Sequence, residues 1–275
     1  MIATIATYLD SLADRLNYAI AAVLLTGLIL MMVEVVLPIE KQSWFSRLKG
    51  IVGWIVYVTL SVGLADVLVH LLGLNQRPPL LHFDLSGWIH SSNPLIRLPS
   101  LILLPFVPYF IFDFFYYWFH RFQHTYPWMW RFHAVHHSIE EMNSLNCNHH
   151  FLEELFRLPF IFIPTHLLFK VEIGEILPVF VLLSGWGQFI HTNTKFGFGR
   201  FRIFLADPRY HRIHHSIEER HFDKNFAAAF PILDLMFGTA CFPAPKEQVR
   251  TGLVEVGEPS SLREFLIRPF RKKAV

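Results

Sequence analysis

Sixteen of the 275 residues are histidine, and eight of these fall into three short runs: HRFQH from His120 to His124, HAVHH from His133 to His137 and HRIHH from His211 to His215. On a helix, residues three and four apart share a face. His120 and His124 therefore point the same way. His133 is followed one turn later by His136 and His137, and His211 in the same manner by His214 and His215. At this histidine content the HxxHH spacing is expected by chance about 0.05 times in such a chain, so two copies mark a metal site. Eight imidazoles exceed the four ligands of a structural zinc site and the three, plus water, of a catalytic one, which makes two ions the economical solution. Imidazole suits iron, zinc, copper and nickel alike, so the ligands leave the element open. Soluble di-iron proteins use paired Glu-x-x-His motifs. Only Glu218 to His221 has that spacing here, so an all-histidine site is the better reading.

Apolar segments must position these runs. Hydrophobic residues make up 53% of the chain and charged residues 17%, an apolar balance that points to a bilayer. Tyr18 to Ile39, Gly50 to Leu74 and Leu95 to Phe119 are each long enough to cross one as a helix, the last running directly into His120. Asp66 and His70 lie within the second, where ionisable groups usually face the protein interior. Residues 155–190 form a fourth apolar region, broken by Pro159, Pro164 and Pro178. It reads as a helical hairpin that returns the chain to the same face, so that the histidines before and after it can meet. Lys41, Arg47 and Lys49 between the first two spans, and the many later basic residues, put the histidines on the cytoplasmic side. The expected fold is all-α: a multi-pass membrane helical domain of about three full spans plus the hairpin, with a cytoplasmic histidine-rich helical cap. Its expected parts are N-terminal transmembrane helices (1–98), a histidine-box catalytic domain (99–245) and a polar C-terminal tail (246–275) with a short amphipathic stretch at Leu262 to Ile267.

HRFQH, then WRFHAVHHS, then PRYHRIHHS after an apolar hairpin resemble the histidine boxes of the fatty acid hydroxylase and sterol desaturase superfamily. Asp113 with Tyr116, Tyr117 and Trp118 before the first box, QFIHTN around His191, and DKNFAAAFPILDLMFGT from Asp223 to Thr239 extend the resemblance over nearly half the chain. It implies a membrane-embedded non-haem centre of two irons that activates dioxygen for hydroxylation, desaturation or ether oxidation of a lipid. Zinc could stand in for iron in purified protein. Carried over by position, His120, His124, His133, His136, His137, His211, His214 and His215 would be ligands, with His191 an additional one. His150 sits where the family often has a histidine, but Phe151 replaces the usual proline and Asn148 the usual arginine. His150, Asp113, Asn193, Asp223 and Asn225 are candidates for the metal or for its outer shell, since a ligating imidazole normally donates its second N–H to a carboxylate, carbonyl or water. Reducing equivalents would come from a separate ferredoxin-like or cytochrome donor.

Other classes fit less well. A net charge of +2 with no basic stripe argues against nucleic acid, and Cys147 and Cys241 form no disulfide framework. A membrane zinc hydrolase would use metal-activated water, but neither HExxH nor HxxEH occurs. A metal transporter would line the spans with ligands, whereas these gather at one end. A haem protein needs far fewer than eight.

Overall fold

The structure is a computed structural model that describes residues 2–73, 78–172, 185–245 and 247–271. Helix α1 (Ile2–Val36) and helix α2 (Trp44–Leu71) are apolar on almost every side, as expected of helices surrounded by lipid. The Ser43 hydroxyl caps α2 by accepting from the Ser46 N–H. Strand β1 (Leu81–Asp84) and helix α3 (Ser86–Ile89) lead to α4 (Pro94–Leu103), which Asn93 caps with Pro94 in its first turn. After a turn at Leu104 and Pro105 the chain continues as α5 (Phe106–Thr125). Ser11–Val36, Trp44–Leu68 and Pro94–Thr125 are long and apolar enough to cross a membrane, in agreement with the three expected spans. The third, 32 residues long, reaches about 48 Å at 1.5 Å per residue. The hydrocarbon core is roughly 30 Å, so one end of this span projects beyond it.

Pro127 starts α6 (Pro127–His137), which folds back against α5. The segment from Ser138 to Asn148 has no regular structure, yet nearly all of it is buried against α1, α2 and α6. At Gly50 an added Cβ would lie 2.3 Å from the Leu145 carbonyl oxygen, so only glycine lets α2 approach this backbone so closely. Helix α7 (Glu153–Arg157) runs through a π-helical turn at Leu158–Phe162 into α8 (Ile163–Leu168), giving the helical first arm of the expected hairpin. That arm ends in an unexpected way. Strand β2 (Phe169–Glu172) pairs in parallel with β1, Leu81 opposite Phe169. Residues 173–184 of the expected hairpin lie outside the described residues.

Helix α9 (Trp186–Ile190), α10 (Pro208–His214), α11 (Ile232–Met236) and α12 (Leu262–Ile267) are short. Asp207 caps α10 by accepting from the Tyr210 N–H, and Pro208 occupies its first turn, both strong start signals. α12 coincides with the expected amphipathic stretch. One core cluster sets Tyr117 of α5 against Phe226, Phe230 and Leu233, and a second packs Phe119 against Met129 and Ile161. The histidine-bearing end of α5 is thus clamped on both sides.

Candidate metal centre

Four helices deliver the histidines. α5 carries His120 and His124, α6 carries His133, His136 and His137, the C-terminus of α9 carries His191, and α10 with its cap carries His211, His214 and His215. The side chains converge on two adjoining groups. His120, His124, His133, His137 and His214 bring one nitrogen each within 4.8 Å of one another, and so do His136, His191, His211 and His215. The His137 and His215 rings stack 4.3 Å apart between the groups.

Backbone carbonyls set the protonation of several rings. His120 Nδ1 lies 2.7 Å from the Phe226 carbonyl and His214 Nδ1 2.7 Å from that of Lys224. His136 Nδ1 faces the Asn148 carbonyl at 3.3 Å, and His191 Nδ1 faces that of Gly187. A carbonyl only accepts, so in each case Nδ1 is the protonated donor and Nε2 is left bare. Two of these bare atoms face each other, His191 Nε2 3.1 Å from His136 Nε2, and His191 Nε2 is also 3.0 Å from His211 Nε2. His120 Nε2 stands 2.9 Å from His133 Nε2. Burial, and after it the neighbouring imidazoles, push His133, His136, His137, His211 and His215 well below the usual histidine range. Burial, with a smaller push from His149 and against the Gly187 carbonyl, carries His191 down to about 3. Neutral lone pairs aimed at one another in a dry site repel unless a cation lies between them. Two nitrogens at right angles around an ion about 2.0–2.1 Å away would be about 2.9 Å apart, which matches these separations. His124 Nε2, His214 Nε2 and both nitrogens of His215 are also buried without a hydrogen-bond partner. The donor set fits metal ions.

The segment after the third box explains how the carbonyls are aimed. Asp223 and Asn225 both adopt positive φ, 57° and 59°, a region that Asp and Asn enter more readily than other non-glycine residues. They flank Lys224, whose carbonyl meets His214. Asn225 donates to the carbonyls of Tyr210 and Cys241. Asp234 accepts from the N–H groups of Phe226 and Ala227 and from the hydroxyls of Tyr210 and Thr239. Asp113 accepts from the N–H groups of Ala228, Ala229 and Phe230 at 2.8–3.0 Å.

Among the outer-shell candidates, Asp223 alone approaches an imidazole, with its carboxylate 3.5 Å from His124 Nδ1. Asp113 and Asn225 act on the backbone that carries the carbonyls, and Asn193 binds the backbone of Glu40. His150 lies apart from both groups, its Nε2 3.2 Å from the Leu266 carbonyl and its ring beside Phe265. The neighbouring His149 and Glu153 are in the site instead. The His149 ring stacks 3.8 Å from that of His136, and His149 and Glu153 form a third metal-capable cluster with His133. Glu153 is fully buried and accepts from Gln123 Nε2 at 2.6 Å and from His149 Nδ1 at 3.1 Å. Burial alone would raise its carboxyl, but His149, Arg157 and Gln123 outweigh that and hold it below the usual range. Its oxygen is also 3.5 Å from His133 Nδ1. Outer-shell groups of this kind commonly change metal affinity 10–100-fold. Glu153→Gln is expected to weaken binding by about that factor in a chelator competition. Unchanged affinity would assign the carboxylate to folding alone.

Residues 106–239 match the family model described as fatty acid hydroxylase. The chain is 31% identical over 215 residues to the human (Homo sapiens) protein named alkylglycerol monooxygenase, covering 75% of this chain and 47% of that protein. The proteins of that name from Danio rerio and Xenopus tropicalis are 29% and 36% identical, over 50% and 51% of this chain and 30% and 31% of their own. The chain therefore spans less than half the length of these curated relatives. No solved structure matches it. The matched stretch holds the three histidine runs in order together with the carboxylates that brace them, and on this basis the chain belongs to the fatty acid hydroxylase superfamily.

Proposed function

We propose that this protein is a membrane-bound monooxygenase that uses two iron ions, dioxygen and an external electron donor to oxidise a C–H bond of a lipid. The observation that carries the reading is the pair of adjoining groups of neutral, buried imidazoles at the end of an apolar helix. Five ligands, His120, His124, His133, His137 and His214, hold one ion; four, His136, His191, His211 and His215, hold the other. When bound, the irons supply the reductive activation of dioxygen that no amino-acid side chain can perform. The polypeptide supplies the rest. The carbonyls of Phe226, Lys224, Asn148 and Gly187 keep each Nδ1 protonated, so that Nε2 is presented to the metal without a change of tautomer. The dry surroundings, with Tyr117, Phe119 and Phe226 fully buried beside the imidazoles, keep water from competing with the substrate.

The relatives' name favours an ether lipid such as an alkylglycerol as substrate, ahead of fatty acyl chains and sterols, and hydroxylation ahead of desaturation. The basic residues flanking the spans favour a cytoplasmic site served by a ferredoxin-like or cytochrome partner. The test is elemental analysis and Mössbauer spectroscopy of protein purified anaerobically from an iron-57 culture, followed by oxygen-uptake assays with alkylglycerols and other lipids. About two coupled irons per chain and lipid-dependent oxygen uptake are expected. Stoichiometric zinc that persists in iron-replete cells, with reductant-independent ester or amide cleavage, would replace the reading with a hydrolase.

A further inference from the structure

We propose that the segment 230–237, together with the adjoining turn 199–204, is a re-entrant wedge whose outer face is immersed in lipid acyl chains. The depth follows from what the segment touches. The Phe230 ring packs against Phe106, Tyr109 and Phe110, with centroids 6.2, 5.9 and 5.2 Å away, and the N–H groups of residues 228–230 are bound by Asp113. A helix needs about 20 residues to cross the hydrocarbon core. Counted from Pro94, where the third candidate span begins, the twentieth residue is Asp113. If the hydrocarbon stopped short of Phe106, only the 12 residues from Pro94 to Pro105 would cross it, about 18 Å of the roughly 30 Å required. Phe230 therefore lies beside a part of the span that lipid must surround.

The backbone chemistry agrees. Residues 226–230 are not helical, and a non-helical backbone at membrane depth persists only where its polar groups are satisfied by protein. Five successive N–H groups are satisfied here by two buried carboxylates, Asp234 for Phe226 and Ala227, and Asp113 for the next three. The Ala229 carbonyl accepts from the Ala206 N–H, tying the turn Gly199–Ile203 to the same place. The outer face is apolar: Met236, Leu235, Phe201 and Phe204 are 64%, 45%, 58% and 59% exposed. The cation at its edge, Arg200, lies over the Phe201 ring at 5.2 Å, as basic and aromatic side chains do at a membrane interface. The acidic side chain within residues 226–237, Asp234, is turned inward and buried.

Site-directed nitroxide labelling of the full chain in lipid nanodiscs tests this. Leu235→Cys, Met236→Cys and Phe201→Cys would be labelled in a Cys241→Ser background, where the remaining Cys147 is buried. Met32 in the first span, exposed at 68%, serves as the lipid reference, and exposed Glu219 as the aqueous one. All three wedge positions are expected to collide readily with dissolved oxygen and poorly with a water-soluble nickel chelate, with an oxygen-to-nickel ratio several-fold above that at Glu219 and close to that at Met32. Ratios matching Glu219 at the wedge positions, in protein of unchanged elution volume, would overturn the proposal. These exposed positions support no core packing, and the readout does not depend on bound metal or turnover.

Discussion

Replacement of His214 or His136 by alanine is expected to bring turnover to background and to remove metal from the affected group, while helix content and the membrane domain survive. Each residue supplies a bare Nε2 to a different group, and each has its Nδ1 committed to a carbonyl, so neither ring can be replaced by a neighbour turning over. Outer-shell changes alone cost 10–100-fold in metal affinity, and loss of a direct ligand exceeds that. Removing His136 also relieves its own close approach to the His191 nitrogen, so apoprotein stability should not fall. Metal content per chain, oxygen uptake and circular dichroism on the same preparation decide the matter. Full activity in either variant would sink the ligand assignment.

Asp113→Ala is the second large effect, and it falls on stability. Three N–H groups, two of them buried and that of Ala228 part-buried, lose their acceptor at once, each worth about 1–3 kcal/mol when left unsatisfied in the interior. The sum rivals the 5–15 kcal/mol that holds a typical domain together. Asp113→Asn keeps a carbonyl oxygen in place and should fall between the two. Thermal unfolding in detergent reads the difference. Because the Phe226 carbonyl lies at the start of the same loop, the alanine variant should also lose metal before it unfolds. A melting temperature unchanged from the parent would mean that water already reaches the loop, and it would count equally against the lipid-immersed wedge.

The residues that sequence periodicity reaches are those whose relation is covalent. His133 with His136 and His137, and His211 with His214 and His215, converge because a helix turns every 3.6 residues, and the three spans announce themselves by length and hydropathy. What periodicity cannot reach is contact between distant irregular segments. His149 and Glu153 stand in the NHHFLEE stretch beside His150, but it is the packing of a coil against α6 that puts the first two in the site and leaves His150 outside. Asp113 stands out only through the resemblance, and its partners lie more than a hundred residues away on a backbone with no helical or strand signal. The pairing of Leu81–Asp84 with Phe169–Glu172 is non-local in the same way, and Pro159 and Pro164 made a helix look broken where it continues through a π turn.

Glu34, the one charge in the apolar part of α1, is 1% exposed. Its carboxylate accepts from the backbone N–H groups of Ser144 at 2.7 Å and Asn193 at 3.0 Å and faces Arg47 at 3.5 Å. Those two N–H groups belong to the coil that leads to Asn148 and to the turn that follows His191. The first helix is therefore no interchangeable tether. A foreign anchor of the same length and hydropathy would strand two buried donors and a buried guanidinium next to the metal-binding loops. Chimeras and truncations that treat the family-matched stretch as a detachable cassette should be designed to keep α1 with it.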